Sequence, residues 1–182
     1  MKHNEFVAIY DEHVWRVYGF FAYRLRSRQD AEDLTQQTFE RALRAWGRYD
    51  ERRAAVATWL LAIARNLLID HLRASAPSQQ ALAESEPEMA AATPDQHSIG
   101  LDPDLERALA ELSQRERELI ALRFGGDLTG PEIAELTGLT LANVQQILSR
   151  ALRRMRASLD GSELQRKSHL RNQPFTPITD TS

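Results

Sequence analysis

Apolar side chains in the first part of the chain recur three or four positions apart, in three series. They are Phe6, Tyr10, Val14, Val17, Phe21 and Leu25; then Leu34, Thr38, Ala42 and Trp46; then Leu60, Ile63, Ala64, Leu67 and Leu68. At about 3.6 residues per turn such spacing lays one stripe along each helix, which must be buried against a neighbour. The apolar–polar alternation of a half-buried strand persists nowhere beyond a few residues. The pattern therefore predicts an all-α fold, with three or four packed helices in the first half.

The second half is punctuated by local signals. Ser113 with Glu116, and Thr129 with Glu132, have the spacing of a capping box, in which side chains at a helix start satisfy its orphan amides. Leu128 and Ile133 flank the second box as a hydrophobic staple. Pro131 costs little in a first turn, where its missing N–H had no intrahelical partner. Gly138 can take a positive φ after a short helix over 130–137, and Thr140 caps the next helix, with Leu139 and Val144 as its staple. A short helix, a glycine turn and a longer helix over 141–158 form a helix-turn-helix, the unit that lays its second helix in the DNA major groove. The apolar face predicted for that helix is Val144, Ile147, Leu148, Ala151, Leu152 and Met155. Ala142, Asn143, Gln145, Gln146, Ser149, Arg150 and Arg153 are left for solvent or DNA. Amides there can pair with an adenine edge, and arginines can hold phosphates.

Between the halves, residues 74–102 contain three prolines and no sustained period, the composition of a connector. The boundaries read from the sequence are 1–73, a linker over 74–102, a second domain over 103–160, and a tail over 161–182 expected to be disordered or partner-dependent. At 182 residues and 42% hydrophobic content the chain can bury real cores. It has no run of eighteen apolar residues, and Asp11 and Glu12 interrupt any signal-like start, so a soluble cytoplasmic protein without membrane insertion is expected. With no cysteine and five scattered histidines, neither a disulfide nor a zinc site has a handle. No Gly-rich phosphate loop, nucleophile elbow or metal motif appears, so no cofactor, small-molecule substrate or enzymatic activity is expected. Asp70 and His71 point about 100° apart on a helix and make no catalytic pair.

The net charge of −3 hides its distribution. Residues 1–73 carry twelve cations against ten acids, whereas 74–102 carries five acids and no Lys or Arg. Arg150, Arg153, Arg154 and Arg156 make the last helix locally basic. Aromatic and basic residues interleave at Trp46, Arg48, Tyr49, Asp50, Arg52 and Arg53, and again at Trp59, Arg65, Asn66, Asp70, His71 and Arg73. Flat rings that stack on unpaired bases, beside arginines that hold the backbone, suit capture of an opened DNA strand. Trp46 reads as core; Tyr49 is the aromatic less easily assigned to packing.

Two blocks carry a family resemblance. DAEDLTQQTFERALRAW (30–46) with WLLAIARNLLIDHLR (59–73) resembles region two of the extracytoplasmic-function sigma factors of the sigma-70 family. LSQRERELIALRF (112–124) with GPEIAELTGLTLANVQQILSRALRRMR (130–156) is similar to their region four. The likeness covers roughly residues 5–158. It implies an alternative sigma factor that binds core RNA polymerase, recognises and melts promoter DNA, and starts transcription. By that resemblance Asp30, Glu32, Asp33, Leu34, Gln36, Gln37 and Phe39 grip the clamp helices of the β′ subunit. Arg48, Tyr49, Arg53, Trp59, Arg65, Asn66, Asp70 and Arg73 handle the minus-ten element. Thr140, Ala142, Asn143, Gln145, Gln146, Ser149, Arg150, Arg153 and Arg154 read the minus-thirty-five element, with the β flap beside that domain. An inhibitory anti-sigma factor is the further partner implied, and no cofactor.

The match departs from the family where Thr-Val-Lys-Ser-Arg commonly opens the recognition helix. Here Asn143-Val144-Gln145-Gln146-Ile147 replaces two cations. Glu84, Glu86 and Glu88 in the linker are read either as a mimic of RNA in a basic polymerase channel or as a solvated spacer. A sigma-like decoy that binds an anti-sigma protein without recognising promoters is the alternative function. An ordinary helix-turn-helix repressor leaves the region-two likeness unexplained.

Overall fold

A computed structural model of the chain describes residues 2–83 and 101–171, with side chains over 5–74 and 101–161. In chain order the elements are α1 (Lys2–Ala22), α2 (Arg28–Ala45), a 3₁₀ turn (Trp46–Arg48), α3 (Val56–Ala83), α4 (Pro103–Ala110), α5 (Gln114–Ile120), a widened π turn (Ala121–Gly125), α6 (Gly130–Thr137) and α7 (Leu141–Arg171). Among the described residues there is no strand, in agreement with the periodicity.

The first three helices bury the stripes that the sequence shows. Val17, Phe21, Leu34, Ala42, Leu60, Ala64, Leu67 and Leu68 are all at most 5% exposed. Thr38 is fully buried on the same stripe because its hydroxyl donates to the Leu34 carbonyl at 2.7 Å. Tyr10 departs from it, at 44% exposed. α2 starts at Ser27, whose side chain accepts from the Asp30 amide at 3.1 Å.

The capping residues fall where they were placed. The Glu116 carboxylate accepts from the Ser113 amide at 2.9 Å, and Glu132 from the Thr129 amide at 2.7 Å. Gly138 adopts φ +71°, and the Thr140 hydroxyl accepts from the Asn143 amide at 3.3 Å. Val144, Ala151 and Met155 are buried, but Leu152 is 44% exposed. At 100° per residue Leu152 lies about 80° round from Val144, at the edge of the stripe.

Two helices run past the residues where the sequence reading ends their domains. α3 continues to Ala83, beyond Arg73, and α7 to Arg171, beyond residue 160. Glu163, Leu164, Gln165, Arg166 and Lys167 are strong helix formers that carry α7 on without an apolar stripe, whereas α3 continues past Pro77, whose ring removes an intrahelical donor. The rest of the connector, with Glu84, Glu86 and Glu88, and the tail from 172 lie outside the described residues.

The two halves pack against one another. One continuous core joins Phe20, Phe21 and Leu61 of the first half to Leu119, Leu122, Leu128, Ile133 and Val144 of the second. The π turn, closed by a Gly126 amide bond to the Ala121 carbonyl at 2.8 Å, lies against α1. There Gly19 meets Gly125 so closely that a Cβ on Gly19 would sit 2.6 Å from the Gly125 carbonyl oxygen. Gly19 is about 180° from the centre of the α1 stripe, so α1 is covered on two opposite faces.

Candidate functional site

α2 presents an acidic and amide ridge. Glu32, Asp33, Gln36 and Gln37 are exposed and Asp30 is half-buried, whereas Leu34 and Phe39 are 5% and 4% exposed and hold the helix to the core. Glu32 accepts from Arg28 at 2.7 Å, and the Gln36 amide donates to Glu40 at 3.0 Å. Beside the ridge an apolar groove runs between α1 and α2, floored by Tyr10, Val14 and Phe39 and flanked by Trp15 and Tyr18. Trp15 is 76% exposed, a bulky ring off the α1 stripe. Periodicity alone leaves it unassigned, since it lies off the buried stripe, although an aromatic at an outward helical position is itself a signal of an exposed apolar patch.

The interleaved aromatics gather into a wall. Tyr49 stacks on Trp46 with centroids 5.0 Å apart and tilts against Trp59 at 4.9 Å, while its hydroxyl donates to the Ala54 carbonyl at 2.9 Å. Burial and the nearby carboxylates of Glu51 and Asp50 push its phenol above the ordinary value. Tyr49 is thus half-buried and held, with Trp46 packed on the core as the sequence suggested. Arg48 and Arg53 are exposed beside this wall, and Arg52 is tied to Asp50 at 3.0 Å.

On α3, Asn66, Asp70 and Arg73 are exposed and share one face within a spread of about 60°. Arg65 points elsewhere: it is half-buried and its Nε donates to Glu118 of α5 at 2.6 Å. The minus-ten candidates are therefore split between a solvent face and the seam between the halves.

The helix-turn-helix displays its candidates together. Ala142, Asn143, Gln145, Gln146, Ser149, Arg150 and Arg153 are all exposed. Their mean direction on α7 is opposite the face holding Val144, Ala151 and Met155. Arg154 instead reaches back to Glu116 at 3.0 Å and to the Glu111 carbonyl at 3.4 Å, tying α7 to α5. Among the described residues, no cluster of three metal-ligating side chains occurs, and no helix is long and apolar enough to cross a membrane.

The two capping carboxylates also set a pH dependence. Amide and hydroxyl donors of Ser113 hold Glu116 below the usual carboxylate range, and those of Thr129 do the same for Glu132. A carboxylate whose folded pKa is depressed stabilises the fold above its unfolded value, about 4.3, and that contribution is lost as pH falls through the folded value. The contribution of these two caps should accordingly be unchanged from about pH 7 to 5 and be lost below about 4.5, whereas buried His13, held below its usual range by desolvation, lowers stability already as pH falls below about 6.5. The double variant Glu116→Gln, Glu132→Gln keeps the capping hydrogen bonds to the N-cap amides but loses the charge at each helix start, so it should melt lower at neutral pH by about 0.3–1 kcal/mol per cap and lose less on acidification. An acid slope equal to that of the unmodified chain in circular-dichroism melts would refute this assignment.

Comparison with known proteins adds an independent line. The family model for sigma-70 region 2 matches residues 9–77, and that for sigma-70 region 4 matches residues 108–157. The chain is similar to the ECF RNA polymerase sigma factor RpoE of Cereibacter sphaeroides, at 34% identity over 83% of this chain and 84% of that protein. It is also similar to the ECF RNA polymerase sigma factor BldN of Streptomyces coelicolor, at 30% identity over 82% of this chain, and spans only 58% of BldN's length. Its fold matches that of the sigma factor RpoE solved in complex with the anti-sigma factor NepR from Bartonella quintana, with a TM-score of 0.69, 24% identity, and coverage of 86% of this chain and 97% of that one. Both family regions occur in order, on the bundle that carries the α2 ridge and on the helix-turn-helix that carries the α7 face. The chain belongs to the extracytoplasmic-function sigma factors of the sigma-70 family, initiation factors of transcription and not enzymes.

Proposed function

We propose that this chain, acting in the cytoplasm, binds core RNA polymerase through the α2 ridge and the adjoining groove. It captures the minus-ten element on α3 and the aromatic wall, and reads the minus-thirty-five element with α7. The observation that carries the reading is the α7 face: seven polar or small residues turned away from the core, at the start of a correctly capped recognition helix. Thr140 serves that face as its cap. Arg154 braces the helix against α5. The working units are the bundle ending near Arg73 and the helix-turn-helix unit over 103–160, with the β flap beside the latter and an anti-sigma factor as the inhibitory partner.

The experiment is run-off transcription with purified core polymerase on a genomic promoter library. Discrete starts that core alone does not make support the proposal, and none on any template overturns it. Association with an anti-sigma factor without any initiation would identify a decoy.

An amide at Gln145 and an aliphatic side chain at Ile147, where the family commonly has cations, give the reading a finer consequence. Each phosphate contact absent from the recognition helix should flatten the log–log salt dependence of promoter binding by about 0.9. Specificity at the minus-thirty-five element then rests on amide-to-base pairs, each worth about 1–3 kcal/mol. Gln145→Ala is expected to impair transcription from promoters with an intact minus-thirty-five element more than from variants lacking it. Equal loss on both templates refutes base contact by Gln145.

A further inference from the structure

We infer that Leu141 is a specificity residue of the recognition helix, taking the 5-methyl group of a thymine in the minus-thirty-five element. This rests on the assignment of that element to α7 made above, and it adds a residue absent from the readers named there. Thr140 caps α7 through the Asn143 amide at 3.3 Å, so Leu141 and Ala142 open its first turn. The N-terminal residues of a recognition helix are those that meet base edges. Leu141 is 40% exposed, and Ala142 is exposed beside it.

The leucine is held on one side and open on the other. At 100° per residue it stands about 60° round from buried Val144 and about 40° from exposed Gln145, on the border between the packed face and the free one. Its Cδ1 lies 3.0 Å from the place a Cβ would take on Gly130, the first residue of α6. Any side chain there would push the leucine away, whereas glycine lets it lean on the first turn of α6. Gly130 is thereby a positioning residue for Leu141.

Chemistry narrows what such a group can read. Residues 141–149 contain no charged side chain, so the exposed part of this stretch offers base edges only amides, one hydroxyl and the apolar surface of Leu141 and Ala142. Base edges in the major groove present donors, acceptors and one distinguishing apolar group, the thymine methyl. A leucine has neither donor nor acceptor, and set against any other edge it would take a polar group from water without replacing its hydrogen bond. Gln145, one turn further on, suits the edge of an adenine. Together the two side chains fit neighbouring A·T pairs, with the amide on an adenine and the leucine on a thymine methyl a pair or two away.

Deoxyuridine tests the contact, because it pairs as thymidine does and lacks only the methyl group. Holoenzyme assembled from core polymerase and the full chain is titrated with a fluorescent promoter duplex taken from the run-off selection. In that duplex the thymidines of the minus-thirty-five element, on both strands, are replaced singly by deoxyuridine. At one position the replacement should weaken binding about fourfold, the equivalent of one methyl group returned to water. Leu141→Ala should bind the thymidine duplex more weakly by a similar factor and should no longer distinguish thymidine from deoxyuridine at that position. A leucine that serves only as packing against Gly130 would lower the affinity of both duplexes alike and leave the fourfold ratio intact in Leu141→Ala, and that result overturns the inference. So does an element that contains no A·T pair, or one in which no single deoxyuridine weakens the unmodified holoenzyme although base changes in the element do. If binding ignores the sequence of the minus-thirty-five element altogether, the assignment of that element to α7 falls, and the role of Leu141 with it.

Discussion

Asp33→Arg is expected to lower affinity for core RNA polymerase at least a hundredfold and to abolish initiation in parallel. Asp33 is exposed on α2 and shares a face with Asp30, Gln36, Gln37 and Glu40, so a cation there faces a partner whose surface complements acids and amides. Placing like charges across an interface costs several kcal/mol, which is two or more decades in affinity. The fold should survive, because the loss of an acid near a helix start costs only about 0.3–1 kcal/mol and the side chain leaves no cavity. Asp33→Asn, which removes attraction without adding repulsion, should fall between. Binding of labelled chain to core enzyme, followed by anisotropy, reads the effect. If Asp33→Arg binds core as the unmodified chain does, α2 is not the contact ridge, although membership in the family stands.

What the sequence made legible was local. The capping boxes, the left-handed Gly138 and the Thr140 cap depend on residues within four positions of one another, and each formed where the spacing put it. The stripes of α1, α2 and α3 were legible for the same reason, since one buried face per helix is written as a period. What required the fold was any contact between distant segments. Gly19 reads as a weak helix residue until Gly125, a hundred positions away, is seen to press on its backbone. Arg65 and Arg154 are assigned to DNA by the family resemblance, yet one meets Glu118 and the other Glu116, partners that no spacing reveals. Tyr49 looked free because its rings of contact, Trp46 and Trp59, converge only when α3 turns back beside the 3₁₀ turn.

Those distant contacts divide the arginines by role. Arg154 ties α7 to α5 through Glu116, while Arg150 and Arg153 stay exposed, the pair that the proposed reading gives to phosphate. Arg65 is tied to Glu118 of the second half at 2.6 Å. Arginines held in this way look identical in sequence to those left exposed; the partner's place in the fold separates them.

Phe20→Ala should produce the largest loss of stability. Phe20 has no exposed surface, tilts against Phe21 at 5.4 Å, and belongs to the core cluster that takes in Leu119, Leu122 and Leu128 of the second half. Truncating a buried phenylalanine to alanine costs about 3–5 kcal/mol through lost transfer energy and the cavity left behind. Against a total of about 5–15 kcal/mol that is a large fraction, and it should lower the thermal midpoint by about 6–20 °C. Leu152→Ala, on the apolar stripe by sequence but 44% exposed, should change the stability of the free chain by no more than about 0.5 kcal/mol. Urea unfolding followed by both helical signal and tryptophan fluorescence separates two cases, because Trp15, Trp46 and Trp59 all lie in the first half. If the halves share one core in the free chain, Phe20→Ala moves a single transition seen identically by both probes. If they unfold independently, the fluorescence transition moves alone and the helix-turn-helix keeps its own midpoint, which would show that the contact at Gly19 and Gly125 adds no cooperativity.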